Sequence, residues 1–268
     1  MTADHDAPGA AGPPTVLTED RGEVRVLSLN RPHRRNAIDL QLRIDLAQAV
    51  EEADRDAHVR AVVLTGNGRT FCAGGDISTM HGVDERAARD RTDAAQRVTR
   101  ALTCAATPVV AAVEGTAFGA GMALALACDR VIAARDARFG TAFTRVGLAG
   151  DMGITFTLPA RVGIARARQL LMLPTELTGT DALDLGLVDG LAEPGEALTA
   201  ALADAQRLAD GPPLALATVK RAMAAPAADI ETALQREADA QVRLFASEDL
   251  AEGAIAFAER RAPRFTGH

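Results

Sequence analysis

The 268-residue chain contains no tryptophan, no tyrosine and a single lysine, Lys220. Without the large planar side chains there is little on which successive bases of a single-stranded nucleic acid could stack. Asp and Glu outnumber Lys and Arg by 36 to 29, a formal net charge of −7. That balance excludes a general binder of nucleic acid or of an anionic membrane surface. With one lysine, any grip on phosphate must come from arginines or from backbone N–H groups. The three cysteines, Cys72, Cys104 and Cys128, are odd in number and lack metal-ligand spacing. Reduced thiols and a cytoplasmic location are therefore expected. No apolar run is long enough to cross a bilayer, and the first residues have neither the basic start nor the apolar middle of a signal peptide. Residues 1–14, rich in Ala, Gly and Pro, read as a disordered tail.

Apolar residue, by contrast, is abundant: 48% of the chain is hydrophobic, enough for one large domain with a sizeable core. "EVRVLSLN" (23–30) has a strand-like pattern with Val24 and Val26 on one face. After the break at Pro32, Asp39 is placed to cap a helix in which Leu42, Leu46, Ala49, Val50 and Ala53 recur at helical spacing. The β-branched "VRAVVLTGNG" (59–68), "TPVVAAVEG" (107–115) and "DRVIAARD" (129–136) read as buried strands. Strands alternating with glycine turns and helices predict an α/β fold. Residues 196–210 and 214–261 read as helices interrupted near Gly211-Pro212-Pro213 and Pro226, with Leu234, Ala238, Val242 and Phe245 near one face. The expected division is a core over 15–205 and a helical oligomerisation region over 206–268.

Two glycine-rich stretches share one chemistry. "TFCAGGDI" (70–77) and "FGAGMALALACD" (118–129) each present backbone N–H groups with little side-chain obstruction. Either alone is as well explained by a tight turn and close packing. Two such groups aimed at one carbonyl oxygen make an oxyanion hole. Other reactive side chains have ordinary explanations. Asp76 is placed to cap a helix beginning near Ile77, Asp129 sits at a helix–strand junction, and Glu114 ends a strand. His81 reads as a surface histidine and Cys72 as a small buried thiol.

Together with "LNRP…RNAID", "VEGTAFGAG", "CDRVIAA", "ARFG…VGLAGDMG", "ALDLGLVD" and "EGAIAFAERRAPRFTG", these stretches occur in the order found in the crotonase superfamily of enoyl-CoA hydratases and isomerases. The chain resembles that family over roughly residues 16–268. The resemblance implies a spiral of ββα turns, a C-terminal helical trimerisation region, a homotrimer or dimer of trimers, and acyl-CoA thioester substrates. It assigns the two donors to Gly75 and Ala120, beside Ala73. It implies no metal and no redox cofactor, since coenzyme A arrives as part of the substrate.

The proton chemistry departs from that of the hydratases. Their two glutamate positions are occupied here by Ala123 and Phe143, so water addition lacks its acid and base. Asp151, in "VGLAGDMG", matches the catalytic aspartate of dienoyl-CoA and ring-epoxide isomerases in the superfamily. Its neighbours in sequence carry almost no charge, which predicts a buried carboxyl with a raised pKa. The competing structural role is a cap on the helix that follows. Phe143 and Met122 are expected to shape a dry acyl pocket, and Arg31, Phe257 and Arg260 to approach the coenzyme A end. The leading expectation is an acyl-CoA isomerase in which Asp151 shuttles one proton. Two alternatives stay open. One is an aryl-CoA dehalogenase or thioester hydrolase using Asp151 as nucleophile, although Gln96 stands where the dehalogenases place a histidine base. The other is a non-catalytic acyl-CoA-binding homologue.

Overall fold

The computed structural model describes residues 12–268, so most of the predicted 1–14 tail lies outside the described residues. Strand β1 (Val16–Arg21) turns at Gly22 into β2 (Val24–Leu29) and pairs with it antiparallel. Helix α1 (Leu40–Arg55) begins where Asp39 accepts a hydrogen bond from the Leu42 N–H at 2.9 Å. Then come β3 (Ala61–Gly66), α2 (Glu85–Cys104), β4 (Val109–Val113), β5 (Thr116–Phe118), α3 (Ala120–Leu126), β6 (Arg130–Ala134) and β7 (Arg138–Gly140). Helices α4 (Ile154–Val162) and α5 (Ile164–Met172), strand β8 (Leu177–Thr178), helix α6 (Gly179–Asp184) and strand β9 (Gly190–Ala192) complete the core. Four helices end the chain: α7 (Ala197–Ala209), α8 (Pro213–Ala224), α9 (Ile230–Phe245) and α10 (Glu248–Glu259).

The main sheet runs β1-β2-β3-β4-β6-β9, parallel throughout except for the β1–β2 edge. A small second sheet, β5-β7-β8, stands beside it. The apolar strands have no polar face because both faces are covered. Leu27, Leu29, Val62, Leu64, Ala111 and Val131 point into the larger core shared with α1, α2 and α3. Val24, Val26, Val63, Val110 and Ile132 point the other way, onto Ala201, Ala205 and Ala209 of α7. Helix α7 therefore belongs to the core, and the expected boundary at residue 205 falls inside it. Its alanine face lets the helix lie close on the sheet. Glu114 anchors its start, accepting from the backbone N–H groups of Gly195 at 3.2 Å and Ala197 at 2.8 Å. That is a structural role for Glu114.

The edge strand β1 and helix α2 were not legible in the sequence. β1 is exposed along nearly its whole length, so it carries no apolar alternation. α2 buries only Ala95, Val98 and Leu102 over 20 residues. A weak apolar stripe on a strongly charged helix leaves little periodicity to read.

The lone lysine is structural. Lys220 is buried, with Nζ 2.7 Å from Asp129 Oδ2 and 2.9 Å from the Thr107 carbonyl. The same Asp129 oxygen accepts from the Val109 N–H at 2.7 Å, so one carboxylate ties β4, the start of β6 and α8 together. Lys220→Met is expected to cost about 1.5–3 kcal/mol, the range for a charge-assisted hydrogen bond lost from the interior. The denaturant midpoint checks it. Among the described residues, no helix is long and apolar enough to cross a membrane.

Candidate active site

A cavity of about 100 Å³ lies between the loop after β3, the start of α3 and the segment leading to α4. Its walls include Ala73, Gly75, Ala120, Phe143 and Asp151, five of the residues named from sequence. Their proximity has a backbone origin. After β3 the chain doubles back through Phe71 and Cys72. The Cys72 N–H donates to the Thr116 carbonyl at 2.9 Å, and the Phe118 N–H to the Cys72 carbonyl at 3.1 Å. This short parallel bridge lays residues 72–75 alongside β5 and the entry to α3.

Most N–H groups of that loop are engaged: Ala73 donates to the Arg35 carbonyl, Asp76 to the Ile38 carbonyl, and Gly74 faces the Cys72 sulfur. The Gly75 N–H meets no acceptor among the described residues. The Ala120 N–H is in the same state because it opens α3, where no preceding helical carbonyl exists. A positive-φ glycine precedes each donor: Gly74 at φ +106° and Gly119 at φ +51°. Only glycine takes these angles at low cost, and they set the direction of the following peptide N–H.

Cys72 lies under this loop and is fully buried. Burial pushes its thiol up to about 12, so it stays protonated at neutral pH and is not a nucleophile. Cys128 is buried and raised to about 12 in the same way, whereas Cys104 is exposed. A thiol reagent at about pH 8, near the ordinary cysteine pKa, is expected to modify only Cys104 in the native chain and all three thiols after denaturation.

Asp151 does not sit in a charge-free setting. Its side chain is 28% exposed, and Oδ2 lies 3.3 Å from Nη2 of Arg43. Oδ1 accepts from the adjacent Met152 N–H at 2.7 Å. Asp151 is not the cap of α4 either. Gly153 holds that position without a side-chain bond. The expectation of a charge-free setting rested on neighbours in sequence alone, and the charge comes from α1, 108 residues away.

Sequence reasoning missed Arg43, and a signal for it was present. Arg43 stands on the buried face of α1 with Leu42, Leu46, Ala47 and Val50, where an arginine breaks the apolar stripe. The side chain is 3% exposed, and Nη1 donates to the Arg91 carbonyl at 2.9 Å. Desolvation lowers its pKa, opposed by the Asp151 carboxylate. Nε is buried without a hydrogen-bond partner.

Other expected residues are elsewhere. Met122 is 1% exposed and packs in the core, because it follows the helix start on the inward side of a wholly buried helix. Arg31 is held inside, ion-paired to Asp39 at 3.0 Å and Asp76 at 3.1 Å and bonded to the Ala37 carbonyl. It is a structural clamp in this fold, not an arginine held out for phosphate. Asp76 also caps the short turn Ile77–Thr79 through Ser78. Phe257, 87% exposed, and Arg260, exposed just past α10, lie outside the cavity walls. Ala123 is buried inside α3, and Phe143 presents a ring to the cavity. Gln96 is exposed on α2, accepting from Arg100.

The fold and pocket define a mixed α/β protein that offers two free backbone donors and one carboxylate to a single, largely apolar cavity. Such an arrangement can polarise a carbonyl oxygen and move a proton beside it. Residues 19–268 match the family model described as enoyl-CoA hydratase/isomerase. The chain is 36% identical over 257 residues to the 1,2-epoxyphenylacetyl-CoA isomerase of Escherichia coli K12, covering 94% of this chain and 98% of that one. It is 34% identical over 248 residues to a short-chain-enoyl-CoA hydratase of Clostridium acetobutylicum, covering 92% and 95%. An enoyl-CoA hydratase structure from Mycobacterium tuberculosis H37Rv superposes with a TM-score of 0.86 at 37% identity, covering 96% of this chain and all of that one. The protein belongs to the enoyl-CoA hydratase/isomerase family and has the crotonase fold.

Proposed function

We propose that the protein is an acyl-CoA isomerase. The Gly75 and Ala120 N–H groups hold the thioester oxygen, and Asp151 removes an allylic or α proton. The resulting dienolate is reprotonated at another carbon by the same carboxyl, which moves a double bond; where a strained epoxide stands β to the thioester, the enolate pair instead breaks the ring C–O bond and the carboxyl returns the proton to the freed oxygen. One carrier suffices because the carboxyl that takes a proton at one position returns one at another, and exchange of its proton with solvent in between lets deuterium enter.

The observation that carries this reading is that Asp151 is the one carboxylate among the cavity's described walls. Ala123 and Phe143 stand where the resemblance places the two glutamates of the hydratases, so water addition lacks the pair of carboxyls that would divide the roles of base and acid. The isomerase relative from E. coli agrees with this chemistry, while the hydratase names of other relatives mark the competing outcome. Asp151 shares a cavity with the two donors, which argues against a binding protein that has lost its chemistry.

The test is incubation in D₂O with 2-enoyl-, 3-enoyl- and aryl-CoA thioesters, alongside Asp151→Asn. Asp151-dependent deuterium uptake or a double-bond shift supports isomerisation. Robust hydration of crotonyl-CoA would overturn it, and release of halide or free CoA would assign Asp151 the role of nucleophile. We further propose a homotrimer or dimer of trimers. Val242 at 70%, Phe245 at 72% and Phe257 at 87% exposure leave apolar side chains of α9 and α10 uncovered in the single chain. Sedimentation equilibrium reads the assembly directly.

A further inference from the structure

An arginine on the buried face of α1 is a poor choice for stability. Every other residue buried on that face is Leu, Ala or Val, and Arg43 leaves Nε without an acceptor. A buried donor left unpaired costs free energy that an apolar side chain of similar length would not. The guanidinium nevertheless makes one contact at the cavity, with Oδ2 of Asp151. Three features then fix that carboxylate. Nη2 holds one oxygen, the Met152 N–H holds the other, and Met152 itself stands at φ +53° between the positive-φ glycines Gly150 and Gly153. A segment with that much left-handed backbone has no regular hydrogen-bond ladder to define it, so a tie to a rigid helix supplies the reference. The groups facing the pair are Arg91 from α2, Asp39 at the start of α1, and the Cys72 thiol from the loop below, which stays neutral. The one carboxylate among these groups, Asp39, is already paired to Arg31.

We propose that Arg43 is the positioning residue for Asp151: the buried guanidinium orients the carboxylate in the cavity and aims it at the substrate. Its place in the helix is retained for this and not for the core. The inference rests on Asp151 being the working group of the proposed isomerase, and its test separates the two.

The experiment uses the full chain with Arg43→Met, Arg43→Lys, Asp151→Asn and the double variant Arg43→Met/Asp151→Asn. The first readout is a double-mutant cycle on the denaturant midpoint, which needs no turnover. Arg43→Met alone is expected to leave the midpoint unchanged or raise it, and the cycle is expected to be non-additive. The second readout is whatever Asp151-dependent turnover the substrate panel gives. Arg43→Met is expected to lower kcat by about 10²-fold with KM nearly constant, the size expected for a misaligned group. Arg43→Lys, which keeps a cation, recovers part of it. An additive cycle, or a lower midpoint in Arg43→Met with unchanged kcat, would make Arg43 a core residue and overturn the inference. Loss of the isomerase reading would show differently, as Asp151-dependent turnover without proton exchange, or as no turnover at all. In both cases the cycle still decides on Arg43.

Discussion

Asp151→Asn is expected to remove isomerisation almost completely, lowering the rate of deuterium exchange by about 10²–10⁴-fold, the usual worth of a positioned general base. The side chains are nearly isosteric. The single amide oxygen can take only one of the two places: accepting from the Met152 N–H, where Oδ1 now lies at 2.7 Å, it leaves the amide NH₂ facing Arg43 Nη2, where Oδ2 now accepts at 3.3 Å. The tie to Met152 keeps the segment between Gly150 and Gly153 close to its present shape, and the cavity with it. What is lost is a group that can take and return a proton. The deficit is expected in kcat, with KM for the thioester nearly unchanged, because the proposed oxygen-binding donors at Gly75 and Ala120 are untouched. Circular dichroism is expected to match the parent, and the denaturant midpoint to fall, because the buried Arg43 guanidinium loses its carboxylate partner. Exchange persisting at the parent rate would show that some other group carries the proton.

The second large effect is expected from a substitution that alters no reactive group. Gly74→Ala adds one methyl where the backbone stands at φ +106°, and that methyl would lie 2.9 Å from the Phe118 carbonyl oxygen. No flexible side-chain end is there to yield, so backbone must move. Phe118 leads through Gly119 into Ala120, the second donor, and Gly74 immediately precedes Gly75, the first. A single methyl thus strains one donor segment and pushes against the other. Loss of one oxyanion donor costs about 10²–10³ in rate, and Gly74→Ala is expected to fall in that range or below it in kcat/KM. Steady-state kinetics on the thioester that the wild type turns over fastest provides the measurement. Retention of full activity would mean that the Gly75 and Ala120 N–H groups do not act together on substrate. Ala120→Gly is the contrasting case: it keeps the N–H, so oxygen binding survives, and only helix propensity at the first position of α3 changes.

Much of the fold was open to reading because its causes are local. The apolar strands at β3, β4 and β6 are continuous since both faces of a parallel sheet are covered, and the cap at Asp39 and the glycines at 74 and 119 act on their immediate neighbours. The edge strand β1 and the charged helix α2 escaped because each buries too little to leave a periodic trace. Met122 shows the opposite limit. Its position directly after the donor suggested a cavity wall, but α3 is buried on every side, and helical geometry turns that side chain into the core. Arg31 illustrates the same limit for charge: a basic residue near the first buried strand reads as free until Asp39 and Asp76 are found on it.

The sequence by itself determined which reactive groups are available. It carries backbone N–H groups after two glycines, an alanine at 123, a phenylalanine at 143, and one aspartate in a glycine-flanked loop. These are matters of residue type and of conformational freedom along a few consecutive bonds. Only the tertiary structure decided the company those groups keep. Asp151 met Arg43 across 108 positions, the Cys72 bridge to β5 set the first donor loop against the second, and Lys220 was drawn inward to Asp129. Charge pairing depends on distance in space, and that distance exists only once the sheet has brought the helices together.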